Sequence, residues 1–304
     1  MEILVLGGSG FIGSHVVDEL LSKGHTIRIF GRSPEKYRPP ILEIKYYVGN
    51  FTDTSLLAEA LHGVDAVIHL ISTNVPSTSN LDPVADIQNN LENSVRLFQL
   101  MVKMNVRRIL FLSSGGTVYG VPSSLPVTES HQLDPICSYG IVKVAIEKYL
   151  GMFQRLYGLQ PIILRPSNPY GPRQGHQGVQ GAIATFMYKI ICGEKITIWG
   201  DGSVVRDYIY ISDLAKLCRI CIESDKCGTY NAGSGTGSTL LEILDYLQIL
   251  IKKEAIVEYK TERSFDVDKI VLDVKKTSRT FNWLPESLLK EGLSSYSSWM
   301  IRNI

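Results

Sequence analysis

The chain has 304 residues, of which 44% are hydrophobic and 20% charged, and its formal net charge at pH 7 is +1. This composition is typical of a globular protein with a large core, and the near-zero charge excludes an electrostatic basis for binding nucleic acid or an anionic membrane. The first apolar run, over residues 3–6, is too short for a signal peptide or a membrane-spanning helix. We therefore expect a cytoplasmic protein that binds neither nucleic acid nor membrane.

Short apolar strands alternate with amphipathic helices through the first half of the chain. We expect strands at 3–6, 26–30, 44–48, 66–70, 108–112 and 161–164, and helices near 12–22, 55–61, 85–104 and 138–157. The alternation predicts an α/β fold with a doubly wound parallel sheet, whose ligands bind at the carboxyl ends of the strands. After residue 164, proline- and glycine-rich segments replace the alternation, which indicates a smaller, interleaved C-terminal substrate lobe.

A glycine-rich turn directly follows the first strand. Gly7, Gly10 and Gly13 have the G-x-x-G-x-x-G spacing, and Phe11 and Ile12 open the next helix. Glycine permits a tight turn and a close backbone approach to a pyrophosphate, which would lie at the positive end of the helix. The turn predicts a Rossmann-type NAD(P)-binding domain over 1–165, joined by parts of 211–231, with the substrate lobe over 166–304.

The end of the second strand bears on which dinucleotide binds. In NAD-preferring folds an acidic residue there holds the ribose 2′-hydroxyl, but this chain has Gly31 and Arg32. Arg32 can pair with a 2′-phosphate, so the sequence favours NADP. NAD remains possible, because Glu35 could turn toward the ribose. Asn50 and Phe51, after the third strand, are expected to contact the adenine.

Tyr139 and Lys143 form a Y-x-x-x-K pair near the start of a helix. Their spacing puts both side chains on one helical face. A cationic Lys143 would stabilise the phenolate and lower the pKa of Tyr139, which predicts a general acid or base. The alternative for such a pair taken alone is an incidental surface contact.

Two of the five cysteines, Cys218 and Cys221, form a C-x-x-C within a helical pattern. A zinc site would need a second pair of ligands, and none follows. We therefore expect buried thiols, no metal site and a reducing compartment.

Six motifs in one order connect the chain to a known family. They lie at 7–13, 67–70, 113–120, 139–143, 164–171 and 200–208, followed by a Trp-Leu-Pro at 283–285. In these motifs the chain resembles the extended short-chain dehydrogenase/reductase family, in particular its nucleotide-sugar 4-epimerases, dehydratases and 4-ketoreductases. The resemblance covers essentially the whole chain.

The resemblance implies roles for the first set of site residues. Tyr139 would be the acid/base for the sugar oxygen, and Lys143 would hold the nicotinamide ribose. The family usually has serine or threonine where this chain has Gly115. Ser114 or Thr117 would then have to supply the hydroxyl.

The resemblance also implies contacts to the nucleotide sugar. Asn168, Arg206 and Arg263 would bind its diphosphate, which suits two guanidinium groups. Trp199 would flank the base, or else it packs in the core. Leu70 belongs with the cofactor-binding residues.

The family chemistry is hydride transfer at a sugar carbon. The missing acid at Gly31 favours NAD(P)H-dependent reduction of a nucleotide-activated 4-keto-6-deoxyhexose, such as dTDP-4-dehydro-6-deoxyglucose, for O-antigen or lipopolysaccharide precursors. One alternative is an NAD-dependent 4-epimerase of the UDP-glucose or UDP-GlcNAc type. Another is a non-catalytic dinucleotide-binding regulatory protein, which would typically lack the Tyr139–Lys143 pair. The family also implies a homodimer formed through helices 85–104 and 138–157.

Overall fold

The structure, a computed structural model, describes residues 1–175, 181–261 and 267–304. The strands are β1 (Glu2–Leu6), β2 (Thr26–Gly31), β3 (Lys45–Val48), β4 (Ala66–His69), β5 (Arg108–Leu112), β6 (Gln160–Pro166), β7 (Asn168–Tyr170), β8 (Lys195–Trp199), β9 (Val205–Tyr210), β10 (Gly228–Ala232), β11 (Gly237–Thr239), β12 (Ile256–Lys260) and β13 (Lys269–Ile270). The helices are α1 (Phe11–Ser22), α2 (Thr54–Leu61), α3 (Pro76–Ser79), α4 (Pro83–Asp86), α5 (Asn93–Lys103), α6 (Ser138–Tyr157), α7 (Ala182–Cys192), α8 (Ile211–Glu223), α9 (Leu240–Ile251), α10 (Lys275–Phe281) and α11 (Leu289–Asn303).

Seven strands form one sheet in the order β10-β6-β5-β4-β1-β2-β3. The pairs from β3 across to β6 are parallel. The six predicted strands all lie in this sheet, and the predicted α/β doubly wound fold is confirmed. The strand order reverses between β1 and β4, and ligands of such sheets bind at this switch point.

The predicted helix 85–104 is interrupted. A π-helical turn over Ile87–Glu92 separates α4 from α5. Asp86 and Asn90 are both buried there, and the Asn90 amide donates to the Asp86 carboxylate at 2.7 Å. The prediction of one regular helix was wrong here, because apolar periodicity does not reveal an inserted π turn, a feature that is frequent at functional sites.

The chain divides into two compact units. The first comprises Met1–Val118, Pro135–Arg165 and Ala215–Tyr230, and the second comprises Tyr119–Asp134, Pro166–Leu214 and Asn231–Ile304. Residues 119–134, which the sequence had suggested for the first domain, lie in the second unit. There Tyr119 donates to the side chain of Asn231 at 2.6 Å, and Val127 pairs with Leu272. Each unit has its own hydrophobic core.

The cysteine pair lies inside a helix, as the sequence indicated. Cys218 and Cys221 are fully buried in α8, and burial raises the pKa of Cys218 to about 12. Within the described ranges, no group of three or more His, Cys, Asp or Glu side chains is placed to hold a metal ion. None of the described helices is long and apolar enough to span a membrane.

Candidate active site

The glycine turn after β1 leaves no room for side chains. Gly7 has φ +83°, and its N–H donates to Phe30 O at 2.8 Å. A Cβ atom at Gly13 would lie 2.1 Å from Gly7 O, so α1 packs directly on the turn. The N-cap of α1 is Gly10, which has no side chain to accept from the first helical N–H groups. The turn therefore offers backbone donors to an anion, as a pyrophosphate site requires.

The loop after β4 closes the other side of this turn. Leu70 N donates to Leu6 O at 3.0 Å, and a Cβ atom at Gly7 would lie 3.3 Å from Ile71 N. The structure thus brings Leu70 together with the glycine turn at the switch point of the sheet.

The end of β2 has no free acid near the expected ribose position. Arg32 is exposed, whereas the Glu35 side chain is only 1% exposed. Glu35 accepts from the Tyr46 hydroxyl at 3.1 Å and from Arg38 Nε at 3.4 Å. These contacts hold Glu35 within its own loop, whereas Arg32 and Lys36 are exposed.

Asn50 and Phe51 have different environments. Asn50 is exposed, and its side-chain Oδ1 accepts from Thr52 N at 3.2 Å. Phe51 is buried and packs edge-to-face on His69, with 5.3 Å between ring centroids. Of the two, Asn50 has the side chain exposed to a ligand.

Tyr139 and Lys143 share one face of α6, as their spacing predicts. Lys143 Nζ lies 5.5 Å from the centre of the Tyr139 ring and 4.8 Å from that of Phe111. It also donates to Leu112 O at 2.9 Å, so the lysine joins α6 to the end of β5. The pair is therefore not an incidental surface contact: Lys143 is buried and Tyr139 is partly buried.

Burial dominates the acid–base properties of the pair. It raises the pKa of Tyr139 to about 12, against hydrogen bonds with Ser72 and Ser114 that act to lower it. It lowers the pKa of Lys143 to about 8, against the charges of Asp86 and Glu147. The expected lowering of the Tyr139 pKa is therefore not found, because desolvation of the phenolate is the largest influence on it and Lys143 is itself desolvated.

The two serine and threonine candidates for the missing family hydroxyl differ in placement. Ser114 acts to lower the pKa of the Tyr139 phenol. The Thr117 hydroxyl is buried and finds no hydrogen-bond partner among the described residues. The structure brings Ser114, but not Thr117, to the phenol.

Sequence reasoning missed Ser72, which acts to lower the pKa of the Tyr139 phenol. It lies in the loop that follows β4. The signal was a hydroxyl residue just beyond the carboxyl end of a strand at the switch point, where functional side chains of such sheets gather.

A buried polar network supports the start of α6. Ser138 Oγ donates to Asp86 at 2.8 Å, and Asp86 also accepts from Asn90. Ser94 Oγ donates to Asn90 O at 2.6 Å and contacts His69 Nε2 at 2.9 Å. Since the Ser94 proton is used, His69 donates through Nε2. Burial, with Lys143 adding to it, lowers the pKa of His69 to about 3.

A second buried group lies one helical turn beyond Lys143. Glu147 pairs with Arg165 at 2.5 Å and accepts from Ser113 Oγ at 2.5 Å. Glu147 continues the four-residue spacing of Tyr139 and Lys143 along α6, a repeat of polar residues that sequence reasoning did not use. It fixes the helix against the ends of β5 and β6.

In the second unit, Asn168 and Arg206 lie on neighbouring strands. Asn168 pairs with Tyr208 in the register of β7 and β9, and its amide donates to Asp207 O at 2.8 Å. Arg206 Nη1 donates to Val267 O at 2.5 Å.

Of the remaining two predicted substrate residues, the structure describes Trp199. Trp199 is 37% exposed, and Lys260 Nζ lies 5.6 Å from the centre of its ring. It is therefore not a core residue. Arg263 lies outside the described residues.

Known proteins match this arrangement over the full chain. A sequence model of the NAD dependent epimerase/dehydratase family matches residues 3–233. A putative UDP-glucose 4-epimerase of Methanocaldococcus jannaschii is 35% identical over 99% of both chains. A dTDP-4-dehydro-6-deoxyglucose reductase of Escherichia coli is 32% identical over 96% of this chain and 95% of its own. A Thermus thermophilus UDP-glucose 4-epimerase, solved in complex with NAD, covers 100% of both chains with a TM-score of 0.94 at 29% identity.

Proposed function

The chain belongs to the NAD-dependent epimerase/dehydratase family, and we propose that it is a nucleotide-sugar 4-epimerase that uses NAD and a UDP-hexose of the UDP-glucose type. Membership identifies it as an enzyme of the extended short-chain dehydrogenase/reductase type. The observation that carries the proposal is the buried Tyr139–Lys143 pair beside a complete glycine turn, in a chain whose full-length relatives include UDP-glucose 4-epimerases. The preference for a reductase has less support, since one reductase stands among these epimerases.

The residues of the first unit fit a dinucleotide. Gly7 and Gly13 approach so closely that a side chain at Gly13 would occupy the turn. When bound, the dinucleotide supplies the acceptor and donor of the hydride. Tyr139 then holds and moves the proton at the sugar 4-oxygen, and Lys143, held by Leu112 O, orients the ribose.

A second candidate function rests on a specific observation. At Gly31 and Arg32 a 2′-phosphate would meet a cationic side chain and no carboxylate. The nearby Glu35 side chain is held by contacts with Tyr46 and Arg38. This environment favours NADPH, and with it the reduction of a nucleotide-activated 4-keto-6-deoxyhexose.

The second unit carries the proposed nucleotide-sugar contacts, namely Asn168, Arg206 and Arg263 for the diphosphate and Trp199 for the base. We further propose a homodimer formed through α5 and α6. All five cysteines are free, which is consistent with a reducing compartment such as the cytoplasm.

Two assays separate the candidates. The purified protein is denatured and the released dinucleotide identified, and the native protein is incubated with UDP-glucose without added cofactor. An epimerase should release NAD and form UDP-galactose. Cofactor-free protein that consumes NADPH stoichiometrically with dTDP-4-dehydro-6-deoxyglucose, and leaves UDP-glucose unchanged, would establish the reductase instead.

A further inference from the structure

We propose that Asp86 is a positioning residue for Tyr139: its carboxylate joins the π-helical turn after α4 to the start of α6 and so holds the phenol in place. It acts through Ser138, the residue before Tyr139, and is not itself a reacting group. The inference rests on the proposed function for its reaction. It does not depend on the direction of hydride transfer, since epimerisation and reduction both need the phenol at the sugar oxygen.

Asp86 is the last residue of α4, and its side chain is fully buried. One carboxylate oxygen accepts from the Asn90 amide at 2.7 Å, and the other accepts from Ser138 Oγ at 2.8 Å. A buried carboxylate needs such donors to offset its loss of water. Each oxygen therefore holds one partner, the first in the π-helical turn and the second in α6.

The Asn90 side chain is itself held in one orientation. Its oxygen accepts from Thr73 N at 2.9 Å, and its nitrogen donates to Thr73 Oγ1 at 2.9 Å. Since the oxygen faces the Thr73 N–H, the nitrogen is the atom that faces Asp86. Asp86 is therefore anchored to a turn that is fixed in its turn by the loop after β4.

The start of α6 depends on tertiary contacts rather than on a local cap. The N-cap residue is Cys137, whose thiol is a weak acceptor and makes no capping hydrogen bond. The first N–H groups of a helix have no acceptor within it. Here Ser138 N donates to Asn80 Oδ1 at 2.9 Å, and Tyr139 N donates to Ser79 Oγ at 3.1 Å. The bond from the Ser138 hydroxyl to the carboxylate adds a buried anchor for this first turn.

Two anchors thus hold the face of α6 that carries Tyr139 and Lys143. Lys143 donates to Leu112 O at 2.9 Å, at the end of β5, and Asp86 holds the turn that carries Tyr139. Loss of Asp86 should release the phenol and leave the lysine in place. Because a displacement of about 1 Å near a reacting group can cost about 100-fold in rate, the effect should fall on kcat.

Charge and position can be separated at Asp86, whose charge also acts to raise the pKa of Lys143. Asp86→Ala removes both the charge and the two hydrogen bonds. Asp86→Asn removes only the charge, since the new amide oxygen can accept from Asn90 and the new nitrogen can donate to Ser138 Oγ. The asparagine variant should therefore retain most of the turnover.

The matched control is Asp82→Ala, at the N-cap of the same helix α4, where the exposed carboxylate accepts from Ala85 N at 2.9 Å. Turnover is read in whichever reaction the wild type performs, with UDP-glucose or with NADPH and the 4-keto sugar, so that failure of the proposed function shows in the wild type alone. We expect Asp86→Ala to lower kcat about 10- to 100-fold, with KM and dinucleotide binding little changed, and Asp82→Ala to stay near the wild type. Wild-type turnover in Asp86→Ala, or an equal loss in Asp86→Asn or Asp82→Ala, would overturn the proposal.

Amide hydrogen exchange tests the positioning without any substrate. The amides of Ser138 and Tyr139 donate to acceptors outside α6, so their exchange reports how firmly the first turn is held. Followed by NMR, both should exchange faster in Asp86→Ala than in the wild type, and neither should do so in Asp86→Asn or Asp82→Ala. Unchanged exchange in Asp86→Ala would overturn the proposal whatever its turnover.

Ser138→Ala provides a second route to the same test, and it serves alone if Asp86→Ala does not fold. It removes the hydroxyl that joins Asp86 to α6, so it should lower kcat and speed exchange of the Tyr139 amide. The double variant should lose no more kcat than Asp86→Ala, because residues that act through one contact are not additive. Losses that multiply, or wild-type kcat and exchange in Ser138→Ala, would contradict an action through Ser138.

Discussion

Burial disfavours the charged form of both Tyr139 and Lys143, the phenolate of one and the ammonium of the other. With pKa values of about 12 for the phenol and about 8 for the ammonium, the pair holds the phenol protonated and keeps the lysine near its titration point. The phenol is therefore protonated at neutral pH and can act as an acid. It becomes a base only where neighbouring donors and charges stabilise its phenolate.

Removing the phenol oxygen tests the chemical assignment of Tyr139. In Tyr139→Phe we expect kcat to fall about 10²–10⁴-fold, the usual contribution of general acid–base catalysis. The backbone contact of Tyr139 N with Ser79 does not involve the phenol, so melting temperature and dinucleotide binding should stay near those of the wild type. Near-normal turnover in this variant would refute the assignment.

The buried His69 leads us to predict that the stability of the protein falls at acidic pH. Its folded pKa of about 3 lies below its ordinary 6.5, because the neutral ring is buried. Below pH 6.5 the unfolded state binds the proton and the folded state does not, so His69 costs stability as pH falls from 6.5 toward 3.

The measurement is the free energy of unfolding by urea for the wild type and for His69→Gln, at about pH 7.5 and about pH 4.5, on either side of the unfolded pKa. The wild type should lose stability relative to the variant at the lower pH, by about 1.4 kcal/mol for each unit below about 6.5. A difference between the two proteins that is the same at both pH values would contradict a buried neutral His69.

At the scale of elements, regular patterns in the sequence are enough to predict the sheet and the glycine turn. The strands of the parallel sheet are unbroken apolar runs because helices cover both faces, and the glycine spacing marks the turn after β1. The interruption of the 85–104 helix was not predictable in this way. Its cause is the burial of Asp86 and Asn90 in a tertiary network with Ser138, and such contacts leave no periodic trace. Ser72 was missed for the same reason, since it approaches Tyr139 only in the fold.

The packing of α1 on the glycine turn predicts the effect of one methyl group. A Cβ atom at Gly13 would lie 2.1 Å from Gly7 O, and a backbone atom cannot move aside as a side chain can. We expect Gly13→Ala to cost about 1–3 kcal/mol or more and to abolish dinucleotide binding. At Gly31 the nearest atom would be 3.4 Å away, so Gly31→Ala is the matched control and should be tolerated. Equal thermal stability of the two variants would contradict the geometry.

The end of β2 predicts cofactor preference. Gly31→Asp would place an anion beside a 2′-phosphate and give a free 2′-hydroxyl a partner. A Cβ atom fits at this position, since the nearest atom to it would be Ser9 Oγ at 3.4 Å. The ratio of the Kd values for NADPH and NADH should rise about tenfold, which corresponds to about 1.4 kcal/mol. An unchanged ratio would show that this position does not contact the ribose.

At the scale of the whole molecule, exposed apolar residues on α6 bear on assembly. On α6, Ile141 is 55% and Tyr149 40% exposed, and they stand eight residues apart on one helical face. In the same unit Leu81 is 84% and Val84 62% exposed. Exposed apolar side chains of this kind are consistent with the proposed interface on α6.

The proposed homodimer through α5 and α6 can be tested by placing a charge in its interface. A lysine at position 141 would bury an unpaired charge against a second copy, so Ile141→Lys should convert a dimer into a monomer in sedimentation velocity. The matched control is Ile249→Lys on α9, where the isoleucine is 75% exposed in the other unit. It adds the same charge on a helix outside the proposed interface, so the dimer should persist. A monomeric wild type, or dissociation of both variants, would contradict an interface on this face of α6.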